Sequence, residues 1–275
     1  MEIIFNNVCL DISNNSLLHN INFSINTGEI NLIYGKSGSG KTTLIETLYG
    51  YNKPTNGSII IDKKIVNLNS KKELKSIRQN IGILFQFCEE QLFNNTVYDE
   101  ITFNFAKKIT KEDGFNELLA QNLDFFSLPK NFLTKKINDL SNSEKRKVCL
   151  INLLLNDYDT IILDEPTISL DDNDRLLFLK IIKKLKELNK TIIIVSHDID
   201  LFYNLFDKII VLNKGCNVFT GNKSGLIKHC GVLEYYDIYI PALIDISYKA
   251  EKIKNIKLGY YENNYDLMKD IYRNV

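Results

Sequence analysis

An α/β domain built around a phosphate-binding loop is predicted by three features of the sequence. A glycine-rich stretch, Gly35-Lys36-Ser37-Gly38-Ser39-Gly40-Lys41-Thr42, sits between an apolar run at 30–34 and a helical segment at 43–49. Three later apolar runs, at 160–163, 191–195 and 208–212, recur in a β-α-β rhythm. Between the first two, residues 174–188 place Leu176, Leu177, Leu179, Ile181, Ile182 and Leu185 on one broad apolar face, the pattern of a helix packed on a parallel sheet.

The remaining elements follow in order. Apolar runs at 3–10 and 21–25, joined by an Asn/Ser-rich stretch at 11–20, predict antiparallel strands ahead of the loop. Lys53-Pro54-Thr55-Asn56-Gly57 is a turn into a strand at 58–61, and 81–86 is a further buried strand. Apolar residues recur at helical spacing through 98–126, which predicts a helical insertion ended by Pro129.

Composition narrows the function. The chain has 275 residues, enough for one α/β domain and a small appendage. Lys+Arg total 34 and Asp+Glu 34, so no global positive field recruits nucleic acid. No apolar run approaches the ~20 residues that cross a bilayer, and the N-terminal Met-Glu-Ile-Ile-Phe lacks the basic and apolar regions of a signal peptide. The expected location is the cytosol, or a membrane surface reached through a partner. Cys9, Cys88, Cys149, Cys216 and Cys230 are scattered without metal spacing and read as reduced, mostly packed thiols.

The loop carries the chemistry. Its glycines let successive backbone N–H groups point into one concavity, and the following helix presents its positive end there, so a triphosphate is held largely by amides. The whole segment Gly35, Lys36, Ser37, Gly38, Ser39, Gly40, Lys41, Thr42 and Thr43 is the expected nucleotide cradle. Lys41 adds a point charge for the β- and γ-phosphates, and the Thr42 hydroxyl is placed to ligate Mg²⁺.

Further residues sit at strand ends. The strand at 160–163 runs into Asp164-Glu165-Pro166. An adjacent acid pair there is often only a solvated turn; behind a phosphate loop it becomes a metal ligand, Asp164, and a general base, Glu165. His197, in Ser196-His197-Asp198, ends the next strand and is one of three histidines; its imidazole is placed to contact the γ-phosphate and orient water. Gln86 ends another strand, where a carboxamide ligates Mg²⁺ and water together.

The order of these parts resembles the ATP-binding subunit of ATP-binding-cassette (ABC) transporters. The phosphate loop is followed by Gln86, Leu140-Ser141-Asn142-Ser143-Glu144, Asp164-Glu165-Pro166-Thr167, Ser169-Leu170-Asp171 and His197. The resemblance implies an ABC-type ATPase fold over residues 1–220, with an N-terminal antiparallel β subdomain, a helical insertion at about 96–155 and a small tail at 221–275. It implies that Gln86 lies in the Q-loop, Glu165 is the catalytic carboxylate, Ser169 to Asp171 form the D-loop and His197 is the switch histidine. It also implies ATP and Mg²⁺ as ligands, and two subunits facing head to tail, with Ser141 of the signature segment closing the other subunit's nucleotide.

A second resemblance is narrower. Phe85-Gln86-Phe87-Cys88-Glu89-Glu90-Gln91-Leu92-Phe93 and Thr96-Val97-Tyr98-Asp99-Glu100-Ile101 look like the Q-loop region of the energy-coupling factor (ECF) type, which powers uptake of vitamins and of cobalt or nickel ions. That implies a membrane scaffold partner and a position on the cytoplasmic face of the membrane. Glu89 and Glu90 are then candidate acceptors for a scaffold arginine, or else a solvated acidic turn. The C-terminal segment, with Leu226, Leu233 and Ile240-Pro241-Ala242, resembles that family's small tail, used there for ATPase dimerisation.

The chain also departs from the family. The signature is usually Leu-Ser-Gly-Gly-Gln, and Asn142 and Ser143 replace glycines that let a partner's γ-phosphate approach closely. Ser141 and Glu144 fit a capping box that puts a carboxylate near that phosphate. These changes predict a weakened site at this signature and favour a heterodimer over a homodimer. Ile12 stands where an aromatic usually stacks on adenine, and Cys88 where proline is common. The competing functions are a soluble cassette ATPase working on DNA or the ribosome, disfavoured by the single cassette and zero formal charge, and a regulatory ATP-binding subunit with weak hydrolysis.

Overall fold

The computed structural model describes residues 1–13, 15–103, 112–168, 170–254, 256, 258, 261 and 264–274. In chain order its elements are β1 (Ile3–Ile12), β2 (Asn15–Ile25), β3 (Ile30–Tyr34), α1 (Lys41–Leu48), β4 (Asn56–Ile61), β5 (Lys64–Ile65), α2 (Lys71–Asn80) and β6 (Ile81–Leu84). Next come α3 (Val97–Phe103), α4 (Glu112–Phe125), α5 (Asn142–Leu155), β7 (Thr160–Asp164), α6 (Asp172–Glu187) and β8 (Thr191–Ser196). The last are α7 (Ile199–Phe202), β9 (Lys208–Asn213), β10 (Cys216–Gly221), α8 (Lys223–Lys228), α9 (Cys230–Tyr235), α10 (Ala242–Lys254) and α11 (Asn264–Asn274). The chain forms two compact units, residues 1–74 with 193–275, and residues 75–192.

The first unit contains an antiparallel sheet in the order β2-β1-β4-β5. Ile3 lies opposite both Ile25 and Ile61, and alternation buries Ile3, Phe5, Val8 and Leu10 with Ile21, Phe23 and Ile25. The Phe5 and Phe23 rings stack at 4.6 Å between centroids. The polar stretch at 11–20, expected as a connection, is mostly strand: β1 runs on to Ile12 and β2 begins at Asn15. Pairing uses backbone groups, which the polar side chains leave intact, and among the described residues of that stretch Leu18 is the buried one. The far side of this hairpin is held by His19 N–H donating to Gly215 O at 2.8 Å.

The same unit carries strands in the order β10-β9-β3-β8, with β3 parallel to β9 and β10 folded back antiparallel on β9. Every residue of β3 is buried, so the strand reads as an apolar run interrupted only by the buried Asn31.

In the second unit β6 and β7 pair in parallel, with Leu84 beside Leu163. Two strand ends therefore leave the same edge: the segment containing Gln86 and the acid pair Asp164-Glu165. The face of α6 that is buried is Phe178, Ile181, Ile182 and Leu185. Leu176, expected on that face, is 59% exposed, and Phe178 takes the central place. The 98–126 block is helical in α3 and α4, with residues 104–111 outside the described residues. Phe115, Leu119 and Leu123 form the buried stripe of α4 at i, i+4 and i+8. Among the described residues no helix is long and apolar enough to cross a membrane.

Candidate nucleotide-binding site

The loop after β3 is shaped by close approach. A Cβ on Gly35 would lie 2.3 Å from Leu212 O and 2.7 Å from Ser39 Oγ, so no side chain fits. Gly38 and Gly40 are left-handed, with φ of 75° and 100°. Ser39 N–H donates to Lys36 O at 3.1 Å, and Gly215 N–H to Ser39 O at 3.0 Å, which ties the loop to the β9–β10 turn. Helix α1 starts at the Gly40 N-cap without a side-chain cap.

Lys41 is 7% exposed and lies across the loop, its Nζ donating to Gly35 O at 2.7 Å and Lys36 O at 3.0 Å. Ser39 is 4% exposed, and its hydroxyl has no hydrogen-bond partner among the described residues. A buried hydroxyl left unpaired costs about 1–3 kcal/mol. An oxygen anion seated in the loop satisfies it, so the residues present fit a polyphosphate group. Lys36, Ser37 and Gly38 are exposed at the rim, Thr42 is exposed on the first turn of α1, and Thr43 is half-buried beside it.

The loop is also tied to the C-terminal segment. The buried Tyr34 hydroxyl donates to Tyr239 O at 3.0 Å, and the Tyr239 hydroxyl to Asp200 Oδ2 at 2.6 Å. Asp200 Oδ1 accepts from Ala242 N–H at 3.3 Å, and Lys36 pairs with Asp237 at 2.6 Å. Burial first, then the neighbouring Asp200 carboxylate, push the Tyr34 phenol well above its usual range. Asp200 lies three residues past His197, which is exposed just after β8. Tyr239 therefore bridges the end of β3 and the helix that follows His197. Tyr34, Tyr239 and Asp200 were given no role from sequence, because a bond from Tyr34 to Tyr239, 205 positions away, and one from Tyr239 to Asp200, 39 positions away, leave no local signal.

Within the second unit, Asp164 is 1% exposed and Glu165 8%, both at the end of β7. Glu165 has φ 44°, a left-handed backbone that is strained for a residue with a Cβ and costs on the order of 1–3 kcal/mol. Ser169, expected in the D-loop, lies outside the described residues. Asp171 caps α6 by accepting Asp174 N–H at 2.8 Å.

Arg146 links the Gln86 backbone to the turn after the acid pair, two segments that the β6–β7 pairing already places side by side. It is 2% exposed, and its guanidinium donates to Pro166 O at 3.2 Å, Ile168 O at 2.6 Å and Gln86 O, and meets Glu89 Oε2 at 3.4 Å. The sequence reading passed over it. Its signal was an arginine in the apolar stripe of α5, in register with Leu150 and Leu153. Glu89 is thus already engaged within the chain, and Glu90 is the exposed acid of the pair. The Cys149 thiol hydrogen-bonds the Cys88 backbone carbonyl at 3.2 Å, and all five cysteines are free.

The signature segment forms the expected capping box. Ser141 is the N-cap of α5; its hydroxyl accepts Glu144 N–H at 3.2 Å, and Glu144 Oε2 accepts Ser141 N–H at 2.9 Å. Lys135 closes on Glu144 at 2.9 Å. The Ser141 amide first and Lys135 second hold the Glu144 carboxyl below the usual carboxylate range. The Ser143 hydroxyl turns to Asp174 Oδ2 at 2.6 Å.

A family model described as ABC transporter matches residues 18–168. The chain is 34% identical over 263 residues to the energy-coupling factor transporter ATP-binding protein EcfA2 of Staphylococcus epidermidis, covering 93% of this chain and 90% of that protein. Among solved structures it is similar to cbiO1 from Clostridium perfringens, part of the ABC transporter complex cbiONQ, with a TM-score of 0.71, 27% identity, and coverage of 89% and 97% of the two chains. The dimeric ATP-binding cassette MJ0796 bound to ADP and Pi matches with a TM-score of 0.71 at 28% identity, over 80% of this chain and 98% of that one. A glycine cradle with an orphaned hydroxyl, a buried lysine across it and these likenesses lead to one assignment: the chain belongs to the ABC transporter family, among the energy-coupling factor ATP-binding proteins, and is an ATPase.

Proposed function

We propose that this chain is a motor subunit of an ECF-type importer, hydrolysing ATP at the loop 35–43 to drive a membrane scaffold that takes up a vitamin or cobalt or nickel ions. The observation that carries it is the Ser39 hydroxyl, buried and unsatisfied inside a loop whose glycines admit no side chain at Gly35.

In this scheme Lys41 leaves the Gly35 and Lys36 carbonyls for the β- and γ-phosphates, and the loop amides hold the remaining oxygens. Thr42, Asp164 and Gln86 are the residues to hold Mg²⁺, which supplies charge neutralisation at the phosphates. Glu165 takes the proton of the attacking water, and His197 orients that water at the γ-phosphate. ATP favours the closed pairing with a second cassette subunit, and hydrolysis releases it. Peripheral placement on the cytoplasmic membrane face follows from the scaffold, and exposed Glu90 is the remaining acid for a scaffold arginine.

The paired subunits are a heterodimer with unequal sites. Ser141 and Glu144 engage each other, so the hydroxyl that would reach a partner's phosphate is already bonded to a carboxylate. The chain's own loop keeps its chemistry when the other subunit supplies an intact signature. The test is ATPase turnover of the purified chain alone and with a co-purifying cassette subunit. Slow turnover alone and rapid turnover in the mixed complex are expected; rapid turnover as a homodimer overturns the asymmetry, and co-purification with nucleic acid in place of a membrane protein overturns the importer.

A further inference from the structure

Arg146 buries a full positive charge on α5, one turn past the signature Ser141, and spends it almost entirely on backbone. Its contacts sort into two places. One is the Q-loop, through Gln86 O and Glu89 Oε2; the other is the turn that follows the acid pair, through Pro166 O and Ile168 O. A planar guanidinium with five donors spans both at once, which a lysine ammonium cannot do from a single point.

What the turn needs is restraint. Glu165 sits at φ 44°, and such a backbone persists only where its surroundings over-determine it. Two backbone bonds of the turn, Ile168 N–H to Glu165 O and Leu170 N–H to Thr167 O, are each 3.3 Å long. The shorter bond, at 2.6 Å, is the one Arg146 makes to Ile168 O.

We infer that Arg146 is a positioning residue for ATP hydrolysis: it clamps the turn after Glu165 and the Gln86 backbone onto the signature helix, so that carboxylate, Q-loop and signature move as one body. This rests on the assignment of Glu165 and Gln86 to the nucleotide, and it acts through them, since the guanidinium itself is turned to carbonyls. Motion of the Q-loop is then felt directly at the Glu165 backbone. Without the clamp, ATP is bound as before by the phosphate loop, but the base is no longer held for in-line attack.

The experiment compares Arg146→Lys with Ile151→Val, a cavity change in the same helix, and with Glu165→Gln. All are made in the full chain, purified with whichever cassette subunit accompanies it. ATP affinity is read with a fluorescent ATP analogue, turnover by phosphate release, and stability by thermal melting. Arg146→Lys is expected to keep ATP affinity within about twofold while kcat falls at least about tenfold. Ile151→Val is expected to keep kcat within about twofold even where buffer conditions are adjusted to give it the same melting loss. Turnover that survives in Arg146→Lys, a kcat loss matched by the control, affinity and kcat falling together, or failure of Arg146→Lys to fold each overturns the proposal. If Glu165→Gln turns over normally, it is the assignment of Glu165 that fails, and Arg146→Lys is then expected to be inert.

Discussion

Glu144 and Ser141 hold each other through three hydrogen bonds: the carboxylate takes the Ser141 amide at 2.9 Å and its hydroxyl at 3.1 Å, and the hydroxyl takes the Glu144 amide at 3.2 Å. The folded pKa of Glu144 is depressed. The carboxylate therefore adds stability that is present above its unfolded pKa of about 4.3 and is lost as pH falls through the lower folded value. Glu144→Ala should melt below the parent chain at neutral pH, and the gap should narrow as pH falls below about 4. Ser141→Ala should cost about 1 kcal/mol by denaturant titration.

The same segment predicts a gain of function. Asn142→Gly with Ser143→Gly restores the bare backbone at the start of α5 and frees Asp174 from the Ser143 hydroxyl. Turnover of the chain on its own should rise several-fold, with a cost of about 1 kcal/mol for each added glycine. Unchanged turnover would move the asymmetry away from the signature.

Ser39→Ala separates binding from folding. Removing a buried hydroxyl that lacks a partner should leave the melting temperature without nucleotide unchanged or slightly raised, and should weaken ATP binding by about 1 kcal/mol, roughly fivefold. Gly35→Ala, whose Cβ meets Leu212 O, should lose about 1–3 kcal/mol of stability together with ATP binding.

Lys41→Ala and Glu165→Gln should fail differently. The first removes a charged donor from the cradle and should weaken ATP by about 2–3 kcal/mol, roughly 30- to 150-fold by equilibrium titration. The second should keep ATP affinity and lower kcat by about 10²- to 10⁴-fold in single-turnover assays. A Glu165→Gln enzyme with full turnover would remove the carboxylate from the proposed role.

What the sequence made legible was local. The phosphate loop, its flanking β3 and α1, and the Ser141–Glu144 box are each written within a few residues, where spacing and turn chemistry suffice. Strand ends were also readable, because a buried run terminating in Asp164-Glu165 changes polarity abruptly. Arg146 and Tyr34 were not legible, since their partners are mostly backbone carbonyls that no residue type reveals. The β1–β2 hairpin was underread because its outer half pairs through the main chain while showing polar side chains. Leu176 was misplaced because the continuous apolar run Leu176-Leu177-Phe178-Leu179 blurs where the stripe on α6 falls, and the burial of Phe178 decides it.

The Tyr34–Tyr239–Asp200 chain of hydrogen bonds makes the last forty residues part of the inheritance of the nucleotide loop. Cropping the polypeptide after β10, to obtain a minimal cassette, would strand a buried phenol without its acceptor, next to the glycine that opens the loop. Anything that pulls on the C-terminal segment likewise has a handle, one hydrogen bond long, on the last residue of β3 before the glycine loop.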